Sequence, residues 1–251
     1  MGLTVSRSCI NFLLTTNPPG LVLTNLLSSP LAQVGTVAVW IGLVLLTAVL
    51  VKRSPFGSPE IVRKIVHIGT GNVILLAWWF QMPSWLGIGA SIIFSGVTLL
   101  SYWLPILPMI NGVGRQSWGT FFYAVSIGIL IAVFWPLGHP QYAVIGILVM
   151  AWGDGMAALI GQRWGNHPFT LWGNTKSWEG CGTMALVSFT AVSGVLWMCQ
   201  GPLGATWGVA VAIACLATVL ELVSQFGIDN LTVPLGSGAI AFCLNHLWLG
   251  L

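Results

Sequence analysis

Eight apolar stretches of 17 to 21 residues, separated by short polar connections, dominate this chain. A helix needs about 20 mostly apolar residues to cross the hydrocarbon core of a bilayer, so each stretch is a candidate transmembrane helix. The last stretch is the weakest candidate because it contains Asn245 and His246. The stretches cover residues 33–51, 65–81, 84–104, 118–136, 141–160, 182–199, 204–223 and 233–249.

The composition excludes a soluble protein. Asp, Glu, Lys and Arg make up 5% of the 251 residues, whereas soluble domains carry about 25%. So few charges cannot cover the surface of a soluble domain of this size. The net charge of +3 is too small and too dispersed to indicate a nucleic-acid partner. We therefore predict an all-α integral membrane protein, a polytopic bundle of about seven or eight transmembrane helices.

The domain organisation follows from the same pattern. Residues 33–251 are predicted to form a single transmembrane catalytic domain. Residues 1–32 form a separate N-terminal segment, which we interpret as interfacial. A signal peptide is the alternative, although Arg7 is its only leading basic residue and no clean cleavage site follows.

The basic residues predict the orientation of the bundle. Seven of the eight lie in the first, third and fifth connections, and the even connections have none. Because basic loops stay in the cytoplasm, the odd connections should face it, including the seventh at 224–232. The seven residues are Lys52, Arg53, Arg63, Lys64, Arg115, Arg163 and Lys176.

Acidic residues are scarce and cluster on the same predicted face. Asp154 lies near the cytoplasmic end of the fifth span and Glu221 near that of the seventh. Ionisable groups at membrane depth are costly and usually functional. Neither acid has a Lys or Arg at helical spacing in its own segment. Glu179 and Asp229 lie in the fifth and seventh connections, so every acid except Glu60 should belong to one cytoplasmic cluster.

The fifth connection has the composition of a phosphate-binding loop. Its glycines allow backbone amides to approach a ligand closely, and Lys176 supplies a point charge suited to phosphate. Carboxylates and an amide oxygen suit Mg²⁺, which usually takes one or two carboxylates plus phosphate oxygens. These features indicate phosphoryl transfer. No Walker A or protein-kinase loop spacing is present, so any nucleotide site is of another kind.

Purely structural explanations remain open for each of these residues. Asp154 could be a polar group hydrogen-bonded between helices. Lys176 and Glu179 are three residues apart and could form an exposed helical ion pair. Asp229 and Asn230 could serve a turn. The placement of the whole set on one face favours a functional site.

The start of the second span adds a further group of candidates. Arg63 and Lys64 could simply set orientation and contact anionic headgroups. His67 lies one helical turn beyond Arg63. It could line the site, or it could be a packed, hydrogen-bonded histidine near the end of a helix.

These segments resemble the CTP-dependent polyprenol kinase family. The resemblance is carried by the run 154–161, the run 176–180, Glu221 and the pair Asp229-Asn230. The run 63–67 is similar to the family's Arg-Lys-x-x-His element, and the resemblance spans residues 60–245. The family includes dolichol, phytol and farnesol kinases and is more distantly similar to phosphatidate cytidylyltransferases. The short chain is most similar to the phytol kinases.

The resemblance implies an integral membrane enzyme that transfers the γ-phosphoryl group of CTP or UTP to phytol or a related isoprenoid alcohol. The product, phytyl phosphate, would feed tocopherol and phylloquinone synthesis. The implied partners are the alcohol, the nucleotide, Mg²⁺ and membrane lipids. The implied location is a plasma or thylakoid membrane of a photosynthetic organism, with the active site on the cytoplasmic face.

The resemblance also implies roles for individual residues. Asp154 would hold Mg²⁺, Lys176 would neutralise phosphate charge, and Glu179 would orient Lys176 or add a metal ligand. Glu221 and Asp229 would provide a second metal position or the base. The metal ligands would therefore be Asp154 and Asp229. The expected contacts to substrate and nucleotide are Arg63, Lys64, His67, Gly155, Gly161, Ser177, Gly180 and Asn230.

Two other functions fit the same residues. A lipid cytidylyltransferase would also use CTP and Mg²⁺ but would release pyrophosphate. A small ion-coupled transporter would use Asp154 and Glu221 as intramembrane ion ligands. Transporters usually have inverted halves with matching broken helices, and the first half of this chain has no comparable Asp-Gly break.

Overall fold

The computed structural model describes residues 29–55, 57–102, 104, 118–202, 204–248 and 250. Most of the predicted N-terminal segment therefore lies outside the described residues. So do residues 105–117 of the third connection, which include Arg115.

Helices account for about four fifths of the described chain. Six helical stretches are long and apolar enough to cross a membrane, and the apolar helix Gly119–Phe134 is shorter. The prediction of an all-α polytopic bundle is confirmed. The helices are α1 Pro30–Arg53, α2 Pro59–Gly71, α3 Val73–Trp79, α4 Ser84–Ser101, α5 Gly119–Phe134, α6 Pro140–Leu148, α7 Gly155–Trp164, α8 Trp178–Gln200, α9 Gly204–Val223 and α10 Asp229–Phe242, with π-helical turns at Val149–Asp154 and Cys243–Trp248 and strands β1 Pro168–Leu171 and β2 Asn174–Ser177.

Helix α6 lies at the centre of the bundle. Every residue from Tyr142 to Leu148 is buried, as expected of a helix that is apolar on all sides. Glycines let α10 approach it closely. A Cβ at Gly146 would overlap the carbonyl oxygen of Pro234, and one at Gly238 would lie 2.9 Å from that of Tyr142. Neither glycine can be enlarged without separating the two helices.

Helices α1 and α4 form part of the outer surface. Both expose large aliphatic side chains, which in a membrane protein contact lipid rather than water. These side chains include Leu31, Val39, Leu43, Leu46 and Leu50 of α1, and Ile92 and Ile93 of α4.

Two interruptions in the helices shape the region around Asp154. Helices α2 and α3 meet at Asn72, whose Oδ1 accepts a hydrogen bond of 2.6 Å from Nε1 of Trp152. Trp152 belongs to the π-helical turn that joins α6 to α7, and Asp154 is the last residue of that turn. Such turns within helices frequently occur at functional sites. This turn sets the direction in which the side chain of Asp154 projects from the helix.

Part of the fifth connection folds as a β-hairpin instead of an irregular loop. Strands β1 and β2 are antiparallel, and Leu171 pairs with Asn174 across the turn. Trp172 and Gly173 both have positive φ, at 48° and 80°, as a type I′ turn requires. Trp172 is an unusual residue for that position, so the sequence carried only a weak signal for the hairpin.

Long-range contacts bring several connections to one end of the bundle, which we call the hairpin end. Lys64 of α2 contacts Asp154, and Lys176 of β2 contacts Glu221 at the end of α9. The amide of Trp118, just before α5, donates to the carbonyl oxygen of Phe226 at 3.2 Å. The hairpin end therefore joins the starts of α2, α5 and α10 to the ends of the π-helical turn and α9.

Candidate active site

Asp154 is paired with a lysine from another span. Nζ of Lys64 lies 2.5 Å from Oδ2 of Asp154 and 3.5 Å from its backbone oxygen. Only 2% of the Lys64 side chain and 10% of the Asp154 side chain are exposed. A buried carboxylate needs such a partner, because removing one charge from water without compensation costs several kcal/mol per ion. The pair fastens α2 to the π-helical turn.

His67 completes the surroundings of Asp154. Its Nε2 lies 3.3 Å from the carbonyl oxygen of Met150 and 3.6 Å from Oδ2 of Asp154. The ring packs on Tyr123, with 4.3 Å between ring centroids. The Tyr123 hydroxyl donates in turn to the backbone oxygen of His67 at 3.4 Å. His67 is thus both packed and next to the acid. A packed histidine and a histidine that lines the site are therefore not exclusive alternatives.

Lys176 pairs with Glu221 across the hairpin end. Its ammonium donates to Oε1 of Glu221, and to the backbone oxygen of the same residue at 3.3 Å. The alternative of a helical ion pair with Glu179 is wrong. The chain changes from strand to helix at Trp178, so Lys176 and Glu179 lie on different elements. Oε1 of Glu179 instead lies 2.6 Å from Nδ1 of the exposed His167.

Asp229 has no cation partner among the described residues. It belongs to none of the ion pairs found in that part of the chain. Its Oδ1 accepts hydrogen bonds from the backbone and side-chain nitrogens of Asn230, at 3.0 and 3.1 Å. The charges of Asp154, Lys64 and Lys176 all act on its carboxyl group. The described part of the hairpin end therefore holds one half-buried acid whose charge is not neutralised by direct contact.

Arg63 supplies the third cation of this group. It binds Glu60 through two hydrogen bonds, from Nη2 at 2.6 Å and from Nε at 3.0 Å. About a third of its side chain remains exposed, and the charges of Asp154 and Asp229 also act on it. Arg63 is thus accessible to an anionic ligand, in contrast to the buried Lys64.

Four residues predicted to contact substrate or nucleotide have packing partners inside the protein. A Cβ at Gly155 would lie 2.6 Å from the side chain of Ile68, and one at Gly161 would lie 3.0 Å from Oγ of Ser177. That Oγ accepts a hydrogen bond of 3.1 Å from the amide of Gly180 and caps α8. These residues hold α7 close to α2 and α8.

Two contributors to this region had little signal in the sequence. Tyr123 packs on His67 and donates a hydrogen bond to its backbone oxygen. The sequence offered only one indication of such a role, a tyrosine within an apolar span, where the hydroxyl needs a hydrogen-bond partner. His167 is exposed and is bound to Glu179. Twelve residues and a hairpin separate these two, so no local pattern predicts their contact.

Comparison with known proteins identifies the family. The chain is 51% identical over 217 residues to the phytol kinase of the cyanobacterium Synechocystis, covering 86% of this chain and 93% of that protein. The chain belongs to the phytol kinase family. Phytol kinase 1 of Arabidopsis thaliana, a chloroplastic protein, is 28% identical, with 86% of this chain and 77% of the plant protein covered.

A wheat member of the family agrees with this assignment. A probable chloroplastic phytol kinase of Triticum aestivum is 28% identical over 72% of this chain and 66% of its own length. No family model matches the chain. No solved structure gives a significant match.

Proposed function

We propose that this protein transfers the γ-phosphoryl group of CTP or UTP to phytol. The single observation that carries the proposal is its family membership, at 51% identity over most of the chain. The oxygen of the alcohol would form a bond to the γ-phosphorus while the bond from that phosphorus to the β–γ bridging oxygen breaks. Phytyl phosphate and the nucleoside diphosphate would be the products, and the first would supply tocopherol and phylloquinone synthesis.

Two of the three cations of the hairpin end suit the triphosphate. Arg63 and Lys176 are both partly exposed, at 34% and 22% of their side chains, and each is held by one carboxylate. Catalysis of phosphoryl transfer is mostly positioning and charge neutralisation, so these two residues would bind the phosphates. Lys64 is too buried for this task and would position Asp154.

Asp154 and Asp229 fit a magnesium ion. No cluster of three potential metal-ligating side chains occurs among the described residues. Mg²⁺, however, usually takes only one or two carboxylates together with phosphate oxygens and water. The support for such an ion is that Asp229 belongs to none of the ion pairs of the described residues. Mg²⁺ held by Asp154 and Asp229 would neutralise part of the charge of the transferring phosphoryl group.

Glu221 is the residue we assign to the hydroxyl proton. In the structure its carboxylate is bound by Lys176. Movement of Lys176 onto the triphosphate would leave the carboxylate of Glu221 free to accept the proton of the alcohol. The role expected for Glu179 as a partner of Lys176 is not part of this mechanism, because Glu179 binds His167.

The reaction products test this proposal against its rivals. Purified protein would be incubated with phytol, Mg²⁺ and labelled CTP, UTP or ATP. We expect phytyl phosphate with CDP or UDP, no reaction after chelation of the metal, and no turnover by Asp154→Asn. The matched variant Glu179→Gln, at an acid that binds His167 and has no role in this mechanism, should remain active. Pyrophosphate release would instead identify a cytidylyltransferase, and ion-dependent transport without turnover would identify a transporter.

We also propose that the hairpin end faces the cytoplasm of a plasma or thylakoid membrane. The support is the distribution of basic residues over the odd connections. Single cysteines would be placed at the exposed positions Thr175 and Pro202, which lie in the fifth and sixth connections. In sealed vesicles without native cysteines, a membrane-impermeant reagent should label Thr175→Cys from the cytoplasmic side and Pro202→Cys from the other. The reverse pattern would refute the orientation.

A further inference from the structure

A cavity of about 430 Å³ lies at the hairpin end, outside the group of charges described above. Trp118 and Phe122 line it from the side of α5, and Gln225, Phe226 and Ile228 line it from the connection between α9 and α10. Its volume is within the range of about 300–1,000 Å³ that is usual for small-molecule sites. None of the five lining residues was singled out by the sequence.

The lining matches a neutral ligand with one polar group. Four of the five side chains are apolar and none is charged, so the triphosphate, which needs cations, would bind poorly here. Gln225 is the single polar side chain of the five, and its amide can both donate and accept a hydrogen bond. One hydroxyl on a hydrocarbon chain has the same requirement.

The position of the cavity brings it next to the charged group. Gln225, Phe226 and Ile228 lie between Glu221 and Asp229 in the chain. The backbone oxygen of Trp172, in the turn of the hairpin that carries Lys176, accepts a hydrogen bond of 3.5 Å from Nε2 of Gln225. The cavity is therefore connected to the residues that the proposed reaction requires.

Phe226 is held in an unfavourable conformation at this cavity. Its φ is +54°, in the left-handed region that non-glycine residues rarely adopt, and 74% of its surface is exposed. Such backbone strain tends to occur at ligand-binding sites, where the surrounding structure maintains it. The hydrogen bond from the amide of Trp118 to the carbonyl oxygen of Phe226 fixes the residue across from α5.

We propose that this cavity binds the hydroxyl end of the isoprenoid alcohol, with Gln225 bonded to the hydroxyl and the aromatic rings packed on the first isoprene units. The inference rests on the proposed function for the identity of the ligand. The alcohol enters from the bilayer, and its hydroxyl is held beside the segment that ends at Asp229.

A kinetic comparison tests the assignment. Phe226→Ala removes an exposed ring and should preserve the fold. Because burying an aromatic ring against an apolar ligand stabilises the complex, we expect the KM for phytol to rise about tenfold or more. The KM for the nucleotide should not change. Gln225→Leu should also raise the KM for phytol, since it keeps the size but removes the amide. Phe94→Ala, an exposed phenylalanine of α4 outside the cavity, is the matched control and should behave as wild type.

Photolabelling separates failure of this site from failure of the proposed function. A phytol analogue with a diazirine near its hydroxyl should label residues 118–122 or 225–228 even if no phosphate is transferred, and excess phytol should prevent labelling. Absence of phytol kinase activity in the wild type would refute the proposed function alone. If the variants raised the KM for the nucleotide and left the KM for phytol unchanged, the assignment would be overturned, because the cavity would then bind the nucleobase. Labelling confined to α1 and α4 would overturn it as well.

Discussion

Removal of Lys64 should destabilise the protein strongly. Substitution Lys64→Met keeps the length and apolar stem of the side chain but leaves the carboxylate of Asp154 buried without its cation. Only 2% of the lysine and 10% of the aspartate side chain are exposed, so water cannot replace the lost partner. Breaking a buried pair in this way costs about 3–5 kcal/mol, against a total stability of about 5–15 kcal/mol for most proteins.

The ion pair between Glu60 and Arg63, which directly precedes Lys64, provides a control on the same helix. Arg63 and Glu60 keep 34% and 17% of their side chains exposed, so Arg63→Met should cost about 1 kcal/mol or less. The double variant Lys64→Met/Asp154→Asn should regain most of the stability lost by Lys64→Met, because no buried charge then remains at this pair. It should nevertheless be inactive, since Asp154 is the proposed metal ligand.

The free energy of unfolding of each variant would be measured by denaturant titration in mixed micelles. If Lys64→Met cost no more than Arg63→Met, the burial argument would fail. If the double variant were as unstable as Lys64→Met, the loss would come from the lysine's packing, and the pairing argument would be refuted.

Four further variants test the remaining contacts. Glu221→Gln should lower kcat with little change in either KM, because it removes the proposed proton acceptor; an unchanged kcat would exclude that role. Glu179→Gln should keep nearly full activity in the same assay, because the carboxylate of Glu179 binds the exposed His167 just before β1. A large loss would show that Glu179 takes part in the reaction. Gly71→Ala should lower the free energy of unfolding by about 1–3 kcal/mol, since its Cβ would overlap the hydroxyl of Tyr123. Gly89→Ala has no atom within 4 Å of its Cβ and should be neutral in the same titration.

The candidate site was only partly predictable. Asp154, Lys176, Glu221 and Asp229 stand out because charges are rare in this chain, and the structure places them at one end of the bundle. Their partners were less accessible to sequence reasoning. Lys64 and Asp154 are 90 residues apart, and Lys176 and Glu221 are 45 apart.

The uncharged residues that line the cavity could hardly be predicted from the sequence. Trp118, Gln225 and Phe226 are unremarkable among many aromatic and polar residues near the ends of spans. They form a cavity only because α5 and the connection after α9 meet at the hairpin end. The glycines of the fifth connection illustrate the same limit. Gly161 and Gly180 are predicted to contact the ligand, and only the structure shows that they also permit close contact between α7 and α8.

The sequence by itself determined that the chain is a helical membrane protein, which residues enter the bilayer, and which few charges must be accommodated there. Each segment separately must move its apolar side chains into the bilayer and satisfy its own backbone hydrogen bonds. Hydropathy along the chain is therefore sufficient to predict the transmembrane helices. The tertiary structure alone decided that Lys64 neutralises Asp154, that Lys176 neutralises Glu221, and that Asp229 has no paired cation within the described chain. Those outcomes depend on which helices are neighbours, and neighbours are selected by close packing such as that of Gly146 on α10.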